Sequence, residues 1–231
     1  MVKEGYYFGL PLLILGVLGA FWRGWGLVGP IAGVILVCLA AFTFYFFRNP
    51  ERIIPQEPGL VVSPADGRVV VVKDEENAGR PGKRISIFLA VWNVHVNRSP
   101  AEGRIARLEY RPGKFLAAMR ERASMDNEAN IFWLETPEGQ MVFKQIAGLI
   151  ARRVVSWKKR GDIVERGERI GLVRFGSRMD LWLPSGAHIL VKVGDHVKGG
   201  SSVVARWVGT QKIAYAAEEE LVPAEIAAYE V

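Results

Sequence analysis

Gly161-Asp162-Ile163-Val164-Glu165-Arg166-Gly167 returns 33 residues later as Gly194-Asp195-His196-Val197-Lys198-Gly199-Gly200. In both copies a Gly-Asp turn leads into a short β-branched run and a second glycine turn. Two copies predict a pseudo-symmetric β unit, not a solenoid. The fold class follows from this pair: a mainly β, sandwich-like body.

The pattern resembles the β module of lipoyl and biotinyl carriers, which present a lysine in a hairpin between the repeats. No lysine lies between Arg160 and Lys192 here, which argues against group carriage. The intervening segment instead reads Gly171-Leu172-Val173-Arg174-Phe175-Gly176-Ser177-Arg178-Met179-Asp180. It is a short apolar strand, a Gly-Ser pair and a polar restart. Gly-Ser is an ordinary turn dipeptide. It also has a specific chemical use. Glycine lets its peptide be approached closely, and a serine hydroxyl beside that carbonyl can attack its own backbone if a base is near.

Outward from this segment the chain keeps the β texture. Leu60-Val61-Val62, the turn Ser63-Pro64-Ala65-Asp66-Gly67, and Arg68 to Lys73 open the body. Strand patterns follow over Arg84 to Val96 and Gly103 to Tyr110. Phe115 to Arg122 reads as a short helix or loop. Ala129 to Glu135 and Gln140 to Ile146 flank Pro137-Glu138-Gly139 as a hairpin. The tail from Ala216 to Val231 has little apolar periodicity and reads as a peripheral appendage.

The first 47 residues differ in kind. Tyr6 to Trp22 and Leu27 to Phe47 carry no charge. At 1.5 Å per residue they reach about 26 and about 32 Å, close to a hydrocarbon core of about 30 Å. A helical hairpin that anchors the chain in a membrane is predicted over 1–47, with the body at 48–231 and Trp22, Trp25, Tyr45 and Phe46 near the interfaces. Arg48 and Arg52 follow the second stretch at once. By the positive-inside tendency the body lies on the cytoplasmic side of the cell membrane. The net charge is +6. With no nucleic-acid motif visible, anionic lipid is the expected partner and nucleic acid is not. Arg152-Arg153 and Lys158-Lys159-Arg160 around Trp157 suit such a surface. Cys38 is the single cysteine, inside an apolar run, and reads as a small buried hydrophobe. No metal-ligand spacing is present.

The chain has three histidines, His95, His188 and His196. His196 lies in a repeat turn, and its counterpart is Ile163. His188 reads as a strand start. His95 sits in Asn93-Val94-His95-Val96-Asn97-Arg98-Ser99-Pro100, where a strand end would put it on one face with Asn93 and Asn97. It is the candidate base. Asp66 is ordinary turn chemistry in Pro-Ala-Asp-Gly. It is also a carboxylate of the kind that orients a histidine in Ser-His-Asp systems, which occur in any chain order.

Taken together, these motifs resemble the phosphatidylserine decarboxylase family in its short, membrane-anchored prokaryotic form. The resemblance is carried by Phe47-Arg48-Asn49-Pro50-Glu51-Arg52, Ser63-Pro64-Ala65-Asp66-Gly67 and Asn93 to Pro100. Pro112-Gly113-Lys114-Phe115, Asp126-Asn127-Glu128-Ala129-Asn130 and Arg174 to Asp180 complete it. Six motifs in order are far more specific than any one of them.

The resemblance implies a proenzyme that cleaves itself between Gly176 and Ser177. Residues 1–176 become a β chain, and residues 177–231 an α chain whose first residue, once Ser177, carries a covalent pyruvoyl group. That group is the cofactor for decarboxylating phosphatidylserine to phosphatidylethanolamine. The resemblance makes His95 the base and Asp66 its orienting partner, with Asn97 and Arg98 as headgroup contacts. The partners are then a serine phospholipid, the membrane and the two chains of one precursor; a second copy of the chain is also compatible. The ether-lipid analogue archaetidylserine carries the same headgroup and stays open as substrate. A non-enzymatic membrane-anchored binding module stays open too. A serine hydrolase fits less well, because the chain has no Gly-x-Ser-x-Gly elbow.

Overall fold

The computed structural model describes residues 1–22, 24, 26–77, 80–149, 153–174 and 176–207. The expectations for Trp25, Arg152 and the tail from Ala216 lie outside the described residues.

Two helices, α1 (Lys3–Phe21) and α2 (Val28–Phe46), form the N-terminal hairpin. Each has 19 residues and is long and apolar enough to cross a bilayer. Pro11 lies inside α1 without ending it. The helices approach closely because glycines face each other. A Cβ on Gly33 would lie 2.2 Å from the Ala20 nitrogen, and one on Gly16 would lie 2.8 Å from the Val37 nitrogen. Large apolar side chains such as Ile14, Leu18, Ile31 and Ile35 point outward. Cys38 is exposed on this outer surface, which corrects the expectation that it is buried. The glycine seam is too narrow for it, and the apolar run reflects the environment outside the hairpin rather than a protein core.

The body is mainly β, as predicted. Its strands are β1 (Leu60–Val62), β2 (Gly67–Asp74), β3 (Gly82–Leu89), β4 (Val96–Arg98) and β5 (Gly103–Arg111). After a one-turn helix α3 (Ala123–Asp126) come β6 (Ala129–Thr136), β7 (Gly139–Ile146), β8 (Val154–Ser156) and β9 (Ile163–Val164). The last five are β10 (Arg169–Val173), β11 (Ser177–Pro184), β12 (Ala187–Ile189), β13 (His196–Val197) and β14 (Val203–Trp207). An eight-stranded antiparallel sheet runs β13-β2-β3-β11-β7-β6-β5-β9, with two three-stranded sheets, β1-β14-β12 and β4-β10-β8.

Period-two alternation gives the large sheet two faces. Ile85, Ile87, Phe132, Phe143, Met179 and Leu181 share the core face. Phe132 and Phe143 stack with centroids 4.7 Å apart. Each such side chain contributes about 1.5–3 kcal/mol by leaving water. The other face carries Arg84, Ser86, Lys144, Arg178 and Asp180, all buried. The segment 112–128 covers it: Ser124 Oγ donates to Asp180 at 2.6 Å, and Arg178 Nη1 donates to the Arg120 carbonyl at 3.4 Å.

The repeat occupies the two edges of this sheet. β9 pairs with the start of β5, and β13 with the start of β2. Asp162 accepts from the Lys159 amide at 3.0 Å, and Asp195 from the Lys192 amide at 2.9 Å. The symmetry extends further than the sequence reading saw. Ser63-Pro64-Ala65-Asp66-Gly67 and Ser99-Pro100-Ala101-Glu102-Gly103 are equivalent turns. Ser63 Oγ donates to the Ala65 carbonyl at 2.6 Å and Ser99 Oγ to the Ala101 carbonyl at 2.7 Å. The Gly200 amide bonds to the Ser63 carbonyl, and the Gly167 amide to that of Ser99.

The expected strand from Arg84 to Val96 is two strands. β3 ends at Leu89, and residues 90–95 form a loop closed by the Ala90 amide on Asn93 Oδ1 at 2.8 Å. His95 sits in that loop, one residue before β4.

Candidate active site

β10 ends at Val173, and β11 begins at Ser177. Gly176 has φ +64°, a left-handed conformation that glycine adopts at no steric cost. Nothing lies within 4 Å of where its Cβ would be, so conformation rather than space calls for glycine. Ser177 begins β11 opposite Leu89. It is fully buried, and its Oγ has no hydrogen-bond partner among the described residues. A buried hydroxyl without a partner costs about 1–3 kcal/mol. Such a cost in a native protein calls for an explanation.

His95 comes to this segment from the 90–95 loop. Its Nε2 accepts from the Gly176 amide at 3.4 Å. Its Nδ1 lies 2.9 Å from the Asn93 carbonyl, which can only accept. The proton therefore sits on Nδ1, and the Nε2 lone pair faces the Gly176 peptide. The Val173 amide donates to the His95 carbonyl at 3.2 Å, which ties the loop to β10. The ring is 2% exposed and packs on Phe46 with centroids 4.2 Å apart. Burial chiefly, opposed by the Asn93 hydrogen bond and aided by Arg48, pushes the imidazole pKa down to about 4. The histidine is thus a neutral base at physiological pH. Ser177, Gly176 and His95 form one site.

Asp66 lies elsewhere. Its carboxylate takes both Arg52 Nη2 contacts, at 2.8 and 3.0 Å, and the Gly199 amide at 2.8 Å. In this structure Asp66 and His95 share no hydrogen bond, and the group against His95 Nδ1 is the Asn93 carbonyl. The pseudo-symmetry gives the reason. Glu102, the equivalent of Asp66, is held by Arg166 at 2.8 and 2.9 Å from the first repeat loop. Both carboxylates pin their repeat turn to the opposite copy.

Arg98 is engaged within the protein as well. Nη1 donates to the Gly167 carbonyl at 2.8 Å and Nη2 to the Pro50 carbonyl at 3.2 Å. Its donors are spent inside the protein, joining the hairpin exit to the body. Asn97 differs. Its Oδ1 accepts from Gln145 at 2.9 Å, and Gln145 in turn accepts from Asn130 at 3.0 Å. Asn97 Nδ2 is buried and has no partner among the described residues.

Residues that the sequence reading gave to the membrane interface and its flank, not to the site, cluster at the end of α2. Tyr45 and Arg48 both donate to the Trp92 carbonyl, at 3.3 and 2.7 Å, and Phe46 covers His95. An aromatic end to an apolar helix looks the same whether it meets headgroups or protein, so no sequence signal separates the two.

The family model for phosphatidylserine decarboxylase matches residues 39–205. A phosphatidylserine decarboxylase proenzyme of Symbiobacterium thermophilum is 46% identical over 210 residues, covering 89% of this chain and 95% of that protein. Its namesake in Solibacter usitatus is 47% identical over 206 residues, covering 89% and 96%. That of Magnetococcus marinus is 40% identical over 215 residues, covering 91% and 97%. On these matches and this site, the chain belongs to the phosphatidylserine decarboxylase family.

Proposed function

We propose that this chain is a self-processing proenzyme that decarboxylates phosphatidylserine to phosphatidylethanolamine at a membrane surface. The observation that carries the reading is the buried, unpartnered Ser177 Oγ beside a glycine whose amide meets His95 Nε2. The Ser177 hydroxyl loses its proton to His95 Nε2 as Oγ attacks the Gly176 carbonyl carbon. The C–N bond breaks, the nitrogen takes up the proton, and an ester replaces the amide. Loss of the Ser177 Cα proton then expels the Gly176 carboxylate and leaves a dehydroalanine at 177. Water converts this to a pyruvoyl group and ammonia. The products are residues 1–176 and residues 177–231, the latter 55 residues long.

The buried, unpartnered position of Ser177 fits such a group, which supplies an electron sink for the carbanion left by CO2. The chain's own residues do the rest. His95 holds the proton returned to the substrate carbon. Asn97 Nδ2 supplies a buried amide donor for the serine headgroup. The hairpin keeps the body at the interface where that headgroup lies. Arg48, Arg52 and Lys3 at its open end put the body on the cytoplasmic side.

Intact mass of the purified protein, with borohydride capture of serine lipid, tests the reading. Two chains separated after Gly176, with lipid fixed to the smaller one, are expected. One uncut chain of 25.7 kDa that captures nothing overturns it.

A further inference from the structure

The last turn of α2 and the first half of α1 touch the His95 loop and the segment leading into Gly176. On one side Phe46 lies against the His95 ring at 4.2 Å, and Tyr45 and Arg48 grip the Trp92 carbonyl of the same loop. The Arg48 guanidinium itself lies 3.9 Å over the Tyr45 ring. On the other side Phe8 stacks on Phe47 at 6.0 Å, and the Arg174 guanidinium lies 5.2 Å over the Phe8 ring. Arg174 is two residues before Gly176. Val2, Phe46, Phe47, Val94, Val96 and Leu172 form one apolar cluster that joins hairpin to body. Phe46 is fully buried in it. An anchor alone needs none of these contacts; a flexible linker would serve.

We propose that Phe46 is a positioning residue for His95, so that the seated hairpin is part of the self-cleavage machinery as well as an anchor. This rests on the reading of His95 as the base. Phe46 closes one face of the imidazole, while Asn93 fixes Nδ1. Together they leave the ring one orientation, with Nε2 on the Gly176 peptide. Phe46 also keeps water from the ring. Its removal lets the imidazole rotate and rehydrate, and a precursor whose hairpin has not docked has the same defect. Self-cleavage then waits for the hairpin to seat.

The full chain is made by cell-free synthesis into bilayer nanodiscs, and cleavage after Gly176 is timed by intact mass across a pH series. Phe46→Ala is expected to slow cleavage about 10- to 100-fold at neutral pH, the scale of a misplaced catalytic group. It also moves the acid limb of the profile upward, from near pH 4 toward the ordinary histidine range. Among the described residues, Arg48 is the charged group whose field acts on His95, while Arg98, Arg169 and Arg174 lie on or beside the flanking strands and Lys3 and Glu4 begin α1; the arginines keep their charge across this range. Phe46→Leu keeps an apolar core but not the flat ring. It is expected to melt near the wild-type temperature, cleave several-fold slower than wild type and show the same upward shift. If Phe46→Leu folds and matches wild type in rate and pH limb, the inference fails whatever Phe46→Ala does. His95→Ala separates the two claims. Blocked cleavage there with unaffected Phe46 variants overturns the positioning role alone. Unimpaired cleavage in His95→Ala overturns the base assignment itself, and the positioning role falls with it.

Discussion

His95 Nε2 accepts the Gly176 amide at 3.4 Å, on the peptide unit next to the one that must be attacked. This contact joins a loop residue to a strand end 81 positions later, and it separates two roles. Ser177→Ala removes the nucleophile and is expected to leave one uncut chain of 25.7 kDa. His95→Ala keeps the nucleophile and removes the base, so cleavage slows by about 10²- to 10⁴-fold without vanishing. Mass spectrometry over a day of incubation reads both. Full cleavage in Ser177→Ala would remove the mechanism.

The depressed His95 pKa also makes a stability prediction. Unfolded, the ring titrates near its ordinary 6.5; folded, near 4. Between these values the unfolded chain binds more protons, so stability rises with pH through this window. The contribution is complete above pH 6.5 and is lost as pH falls toward 4. Its full size is about 3 kcal/mol. Urea unfolding of Ser177→Ala at pH 7 and pH 4.5 should show this loss. The added change His95→Phe should flatten it. Equal slopes in the two proteins would mean that other groups set the acid limit.

Asp66 and Arg52 form a mostly buried pair at 2.8 Å, with side chains 13% and 12% exposed. Asp66→Ala strands Arg52 and the Gly199 amide, at a cost of about 1–3 kcal/mol. Arg52→Met added to it should recover part of that loss, since breaking one partner costs more than replacing both. The pH midpoint of cleavage should stay where it is in both, because this carboxylate bonds to Arg52 and Gly199 while His95 Nδ1 bonds to the Asn93 carbonyl. A shifted midpoint in Asp66→Ala would restore the triad reading.

The sequence exposed what is periodic or local. The two Gly-Asp repeats foretold the β body, and the charge-free runs foretold the hairpin. Ser177 was legible because its neighbours form a distinctive string. The partner of Asp66 was not, because a turn aspartate looks the same whether it faces a histidine or an arginine. Only the pairing of Ser63–Gly67 with Ser99–Gly103 assigns it, and that symmetry was available in the sequence as two nearly identical pentapeptides. The docking of Phe46 on His95 is a long-range packing fact with no local trace.

Arg178 and Asp180, next along β11 from Ser177, are fully buried and paired at 2.5 Å. Ser124 donates to the same carboxylate at 2.6 Å, Arg84 lies 3.7 Å away, and Arg178 also donates to Ser86 at 2.8 Å. Lys144 donates to the Ser124 carbonyl above them. Burial chiefly lowers its pKa, to about 8, with Asp180 opposing. Asp180 is therefore the fully buried anion in a group of buried cations. Asp180→Ala leaves them uncompensated and is expected to cost about 3–5 kcal/mol. Without that carboxylate the Lys144 pKa falls further, so part of the penalty is relieved as pH rises toward 8. Denaturation midpoints of Asp180→Ala in the uncut Ser177→Ala background, at pH 7 and pH 9, measure both effects. A penalty unchanged between the two would show that Lys144 is already neutral at pH 7.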